Sequence, residues 1–448
     1  MTEERLLLVS GDGHVSPPLA AYRPYLGSRF HDALEALEEE SAEYLSNAAA
    51  PFSPSPASLA IYDRRGAVGS GGETGAYDLD RRLAELDAEG VAGEIVHWGA
   101  QFACMPFFDI ANRSHPAPLR QAGARAYNRW LADWMEPSNG RLAGVLQPGT
   151  GYDLEEAVGE LRWAATHGFA AVQVPGGTGD PALPNLFDPR WEPFWATAAE
   201  VGLALSVHAG WGQIQGQAFE FFKTFKSMGM TDIDMDEFLK KTADSPLTLD
   251  IGPRRVVWQL MLAGVFDRHP SLQLVLTEVR ADWVPSTLAY LDRRFETTST
   301  PLARRPSEYF ASNCAVTPSS PHRAELAMRH EIGVGRFMFG VDYPHIESTW
   351  PNTHDWIRDA FADVPEEEAR RILGENAVEI YGLDRAELTR TAARIGPTAK
   401  EVLGAGHEID AALVDHFHRR AGYLRPAEEV DGSSYEEALR ADLDLAAR

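Results

Sequence analysis

Cysteine is nearly absent from this 448-residue chain, which has only Cys104 and Cys314. That leaves no disulfide framework and no thiolate cluster for zinc, so any metal ligand must be histidine or carboxylate. Basic charge is also scarce. The 41 lysines and arginines face 66 aspartates and glutamates, giving a formal net charge of -25 and a sequence pI near 4.9. This acidity argues against nucleic acid or an anionic membrane surface as partner. The opening residues, MTEERLLLVSGDG, are acidic, and their apolar run is too short for a secretion signal or a membrane span. A cytoplasmic, enzyme-like protein is expected. No Gly-x-Gly-x-x-Gly turn follows an apolar run, which counts against a doubly wound dinucleotide fold.

What the chain does contain is a regular alternation. LLLVSGDGHVSPP begins with continuous apolar residues suited to a strand buried on both faces, and it ends on Asp12 and His14. Residues 17 to 75 are rich in proline and glycine, and HDALEALEEE is their one helical pattern. LDRRLAELDAEG then reads as a helix closed by Gly90, and GEIVHWG as a strand carrying His97 and Trp98 at its end. The same unit recurs through RLAGVLQP, FAAVQVPGG, LALSVHAG (ending on His208), SLQLVLTEVR (ending on Glu278 and Arg280), SEYFASNCAV and GRFMFGVDYPH. A second long excursion spans residues 211 to 248.

Eight short apolar strands alternating with amphipathic helices predict an α/β fold, a (β/α)₈ TIM barrel, over residues 1–383. The two excursions are long loop insertions in it. Beyond Asp384 the pattern changes to polar helices, including SSYEEALRADLDLAAR, with Ser433 and Glu436 spaced as a capping box. Residues 384–448 are therefore expected to form a C-terminal helical extension, packed outside the barrel or on a partner subunit.

The C-terminal strand ends of such a barrel converge on one face, so residues there become neighbours whatever their separation in sequence. Those ends hold Asp12, His14, His97, His208, Glu278, Arg280, Asp342 and His345. Imidazoles and carboxylates without thiolate suit zinc, manganese or iron. Taken alone, Asp12 could cap the next element and His14 could simply pack. His97 could touch substrate or serve as a core histidine bonded to a backbone carbonyl. Trp98, Phe102, Phe107, Phe108 and Trp211 fall in loops of the same face, where they could pack or clamp a planar substrate.

At these positions the chain resembles the amidohydrolase-related branch of the amidohydrolase superfamily, which includes aminocarboxymuconate semialdehyde decarboxylase and γ-resorcylate decarboxylase. The resemblance covers Leu6 to Leu383. It rests on Asp12-x-His14, on His208 in SVHAG, on AGVFDRHPSLQLVLTE and on Asp342 in FGVDYPH. One departure is that Glu278 stands where the best-known decarboxylases carry a catalytic histidine. The resemblance implies one divalent ion, zinc foremost, held by Asp12, His14, His208 and Asp342, and a homodimer. Asp342, Glu278 and His208 would be the catalytic residues. His97, Trp98, Arg254, Arg280, Trp211 and His345 would face the substrate, with Arg254 and Arg280 meeting a second acidic group and His345 orienting Asp342. Glu278 tilts the expected reaction toward hydrolysis of a C–N, C–O or C–C bond in a small aromatic or unsaturated carboxylate by metal-activated water. Non-oxidative decarboxylation of such an acid is the alternative. A barrel that only binds or assembles is a third reading.

Overall fold

The computed structural model describes residues 4–52, 54–100, 105–108, 115–149, 153–176, 185–211, 251–297, 302–345, 347–421 and 433–446. Most of the second excursion, together with Phe102 and Cys104, lies outside them. So do the side chains of Ser433 and Glu436.

The strands are β1 (Leu8–Ser10), β2 (His14–Val15), β3 (Val91–Trp98), β4 (Leu142–Leu146), β5 (Phe169–Gln173), β6 (Ala204–His208), β7 (Leu274–Thr277) and β8 (Cys314–Thr317). They pair in parallel in the order β1-β3-β4-β5-β6-β7-β8, and β2 extends the first strand along β3. Segment 337–343 closes the ring. Its Met338 amide donates to the Val316 carbonyl at 2.9 Å, while the Gly11 amide donates to the Phe339 carbonyl at 2.8 Å. Parallel bridges Val316–Phe337 and Gly13–Tyr343 mark the two seams.

Small and branched residues fill the interior, because a closed eight-strand barrel leaves room only for side chains. Val9, Ile95, Val145, Ala171, Ala204, Val275, Ala315 and Met338 form one buried cluster with Ala377, Tyr381 and Leu388. These last three come from the helices Asn376–Tyr381 and Arg385–Ile395. A Cβ on Gly93 would meet Leu388 Cδ2 at 2.7 Å, so the latter helix seals the end of β3 opposite His97.

Two local expectations are corrected. SEYFASN is not strand but the helix Pro306–Asn313, with the strand starting only at Cys314. Pro306 occupies the first helical turn, and Glu308 Oε2 accepts from the Arg305 amide at 2.8 Å, which is how a helix begins. The excursion 17–75 also holds a second helix, Pro56–Tyr62, capped by the Ser55 side chain. The turn glycine Gly90 behaves as read, closing its helix at φ 73°.

The helix Ser433–Ala446 packs on the helix Ile251–Leu262 of the same chain. Asp442, fully buried, receives Arg255 Nη2 at 2.7 Å, Trp258 Nε1 at 2.9 Å and Gln259 Nε2 at 2.9 Å. Among the described residues no helix is long and apolar enough to cross a membrane.

Candidate metal centre

The ends of β2, β6 and β7 and the closing segment bring Asp12, His14, His208, Glu278 and Asp342 together. His14 Nε2 lies 3.2 Å from Asp342 Oδ1, 3.4 Å from Asp12 Oδ1 and 3.9 Å from Glu278 Oε2. His208 Nε2 lies 3.3 Å from Glu278 Oε2 and 3.6 Å from Asp12 Oδ1. Two overlapping donor groups result, Asp12–His14–His208–Glu278 and His14–Glu278–Asp342–His345, each with ligand atoms within 4.8 Å of one another. The expected set of Asp12, His14, His208 and Asp342 is thus divided between them. Glu278, expected as a catalytic residue and not among the four expected ligands, belongs to both.

Backbone hydrogen bonds decide which imidazole nitrogens face the cluster. His14 Nδ1 pairs with the Trp98 carbonyl at 2.9 Å, and His208 Nδ1 with the Ala209 carbonyl at 3.2 Å. A carbonyl only accepts, so each Nδ1 carries a hydrogen, and in the neutral ring Nε2 presents a lone pair. Those lone pairs aim at carboxylate oxygens. Both oxygens of Asp12, both of Asp342, and Nε2 of His14 and His208 are buried without a hydrogen-bond partner. Buried acceptors facing acceptors are unfavourable unless a cation sits among them. The donor set therefore fits a divalent metal.

The backbone is bent to reach this arrangement. Glu278 and Asp342 hold φ 57° and 61°, a left-handed region that costs a non-glycine residue roughly 1–3 kcal/mol and occurs often at functional sites. The Asp342 amide donates to the Asp12 carbonyl at 3.0 Å, which fixes the two carboxylates relative to each other. Behind them lies Arg82, fully buried. Its Nη1 donates to the His14 carbonyl at 2.8 Å, its Nη2 to the Tyr343 carbonyl at 3.3 Å, and its Nε and Nη2 to Glu94 Oε2 at 2.8 and 2.6 Å. Sequence reading missed Arg82, because inside an amphipathic helix it looks like a solvated charge.

Electrostatics follow from the crowding. Burial alone would raise the Asp12 carboxyl, but the His14 and His208 imidazoles outweigh it and hold Asp12 below the ordinary range. Glu278 is pushed well up by burial and then by the nearby Asp342 charge. Burial drives His97 well down, keeping it neutral. For His345, burial is overcome by Asp342, whose Oδ1 lies 3.0 Å from His345 Nδ1, and the imidazole is raised. The His345 ring also stacks on His14 with centroids 3.9 Å apart. His97 is buried with its ring 4.9 Å from that of His208, and its Nε2 has no hydrogen-bond partner.

The two arginines expected to meet substrate are engaged elsewhere. Arg254 lies over the Trp283 ring at 5.2 Å, and Arg280 pairs with Asp282 at 2.7 Å. Beside His208 instead opens a cavity lined by Trp98, Phe108, Arg120, Gln147, Gln173 and Trp211. Gln147 and Gln173 close β4 and β5, so reading strand ends for amides as well as titratable groups would have found them. Arg120 had no such signal.

A parallel barrel with imidazoles and carboxylates gathered at its C-terminal strand ends is the architecture of a metal-assisted barrel enzyme. Residues 80–383 match the amidohydrolase family, and the chain belongs to it. The gamma-resorcylate decarboxylase of Rhodococcus jostii (strain RHA1) is 28% identical over 241 residues, covering 52% of this chain and 66% of that protein, just under two thirds of its length. The gamma-resorcylate decarboxylase of Rhizobium radiobacter is 25% identical over 329 residues, covering 70% of this chain and 85% of that protein. Among solved structures, a dihydroxybenzoic acid decarboxylase from Polaromonas sp. JS666, with bound manganese and the inhibitor 2-nitroresorcinol, is similar in fold. It covers 85% of this chain and 98% of its own, at 18% identity and a TM-score of 0.55. These relatives are named as decarboxylases, so the comparisons favour the alternative reaction over the expected hydrolysis.

Proposed function

We propose that this chain catalyses non-oxidative decarboxylation of a small aromatic carboxylic acid at one divalent cation. The observation that carries the reading is the cluster of partnerless buried acceptors on Asp12, His14, His208 and Asp342, completed by Glu278. A divalent ion bound there supplies an anchor for the oxygens of an acidic substrate and neutralises negative charge. Imidazole and carboxylate donors suit manganese as well as the zinc expected from sequence.

Asp342 is the proton donor in this scheme. The ring carbon bearing the carboxyl takes a proton from Asp342. The bond from that carbon to the carboxyl then breaks, its electron pair stays on the ring, and carbon dioxide leaves. A proton from water restores Asp342. His345 Nδ1, 3.0 Å from Asp342 Oδ1, holds the carboxyl in orientation. Trp98 and Trp211 flank the approach beside His208 and would limit water around the ring.

The test is carbon dioxide release from 2,6-dihydroxybenzoate, 2-hydroxybenzoate and 5-carboxyvanillate by manganese-loaded protein. Release above the protein-free rate, lost on chelation and restored by manganese, is the expected result. Stoichiometric metal with no release from any of the three acids would overturn the proposal.

A further inference from the structure

His345 Nδ1 and Asp342 Oδ1 lie 3.0 Å apart, yet both atoms are buried without a hydrogen-bond partner among the described residues. The approach is close enough for a hydrogen bond but is not directed as one. His345 Nε2 pairs with the Gly99 carbonyl at 3.0 Å, so that nitrogen carries a hydrogen, and the neutral ring turns its Nδ1 lone pair toward the carboxylate. His345 is 9% exposed and Asp342 is fully buried, so bulk water does not reach the contact. Two acceptors pressed together in this way are costly unless a cation joins them.

The spacing is that of two ligands on one ion. Donors about 2.1 Å from a divalent cation lie about 3.0 Å apart at right angles and about 3.4 Å apart in a tetrahedron. Asp342 and His345 form, with His14 and Glu278, a donor group distinct from the one built on Asp12 and His208. His14 cannot serve both groups, because its Nδ1 is engaged by the Trp98 carbonyl and its Nε2 has a single lone pair. Glu278 can, because a carboxylate has two oxygens. With His14 given to the first group, the second keeps Glu278, Asp342 and His345, and Glu347 Oε1 lies 3.8 Å from His345 Nδ1 as a further carboxylate.

We infer that the centre has a second divalent-cation seat, held by Asp342 and His345 and joined to the first through Glu278. Its donors are placed before an ion arrives: the His345 ring stacks on His14 with centroids 3.9 Å apart, and the Asp342 amide is fixed by the Asp12 carbonyl. The first seat has two imidazoles and two carboxylates and fills first, whereas the second has fewer protein donors and fills at higher metal concentration. An ion there takes the position that a proton on His345 Nδ1 fills at the one-ion centre. The effect on turnover rests on the proposed reaction, in which Asp342 is the proton donor. A carboxylate bound to a second cation is held ionised and has no proton to give, so excess divalent metal inhibits.

The test counts ions in the absence of substrate. Manganese is titrated into the full-length protein from one equivalent upward, and unbound manganese is read from its electron paramagnetic resonance signal. Bound manganese should rise from one ion per chain to two, and the two-ion protein should show spin coupling that the one-ion protein lacks. His345→Phe should weaken the second ion at least about tenfold while the first equivalent stays bound. Should that variant fail to fold, spin coupling in the parent protein still decides. Saturation at one ion per chain, a second ion without spin coupling, or a second ion of parental affinity in His345→Phe would overturn the assignment. Carbon dioxide release should fall at least about tenfold as the second ion binds, and release that holds steady would overturn the inhibitory role. A protein that binds two coupled ions but releases no carbon dioxide with one would remove the decarboxylase reading and leave the second seat standing.

Discussion

Arg82→Met should destabilise the protein more than any surface change, for a reason internal to the site. Arg82 is fully buried, its partner Glu94 is 1% exposed, and the same guanidinium ties the His14 and Tyr343 carbonyls together. Removing one member of a buried ion pair leaves the other charge uncompensated, a loss of about 3–5 kcal/mol. A domain has only about 5–15 kcal/mol in total, so the variant should fold with a much lower urea midpoint. The Glu94 carboxyl is already raised, first by burial, with Arg82 acting against that rise. Without Arg82 it rises further. An acid raised in the folded state contributes stability that is full below its unfolded value and lost as pH increases through the folded one. The gap between Arg82→Met and the parent should therefore narrow as pH falls from 8 toward 5, measured on metal-free protein. The double variant Arg82→Met/Glu94→Leu should recover most of the loss, because apolar replacement of a whole buried pair is often neutral. A loss below about 1 kcal/mol, or a double variant no better than the single one, would refute this reasoning.

Three further outcomes follow from the same contacts. Asp342→Asn should lower carbon dioxide release by about 10²–10⁴-fold, the usual contribution of a positioned proton donor, as read by single-turnover kinetics on manganese-loaded protein. His208→Ala should weaken manganese binding by at least about 10-fold in a competition titration, with far-ultraviolet circular dichroism unchanged. Asp442→Ala leaves the buried donors of Trp258 and Gln259 unmatched and should cost about 3 kcal/mol. Its sign would be early proteolytic loss of residues 433–446, ahead of any cut in the barrel.

The strand ends were legible because each barrel strand is apolar on both faces until it stops, so a polar residue after such a run marks the active face. Asp12, His14, His208, Glu278 and Asp342 were all visible in that way, and the structure gathers them at one point. The division of the ligand atoms into two groups was not visible, since it depends on left-handed turns at Glu278 and Asp342 that no residue type announces. SEYFASN misled because Tyr309 and Phe310 favour strands when read alone, whereas Pro306 and Glu308 set a helix start. Arg82 and Arg120 escaped because an arginine on a helix ordinarily reaches water, and only tertiary packing shows that these two face inward.

The central claim is that the carboxyl group is replaced by a proton, with no water-derived oxygen entering the organic product. The most direct measurement runs manganese-loaded protein on 2,6-dihydroxybenzoate in ¹⁸O-labelled water and, separately, in deuterium oxide, with mass analysis of the product. The account predicts 1,3-dihydroxybenzene without ¹⁸O, carrying one deuteron at the carbon that lost carbon dioxide. A product containing ¹⁸O, formed with the carboxyl still attached, would contradict it.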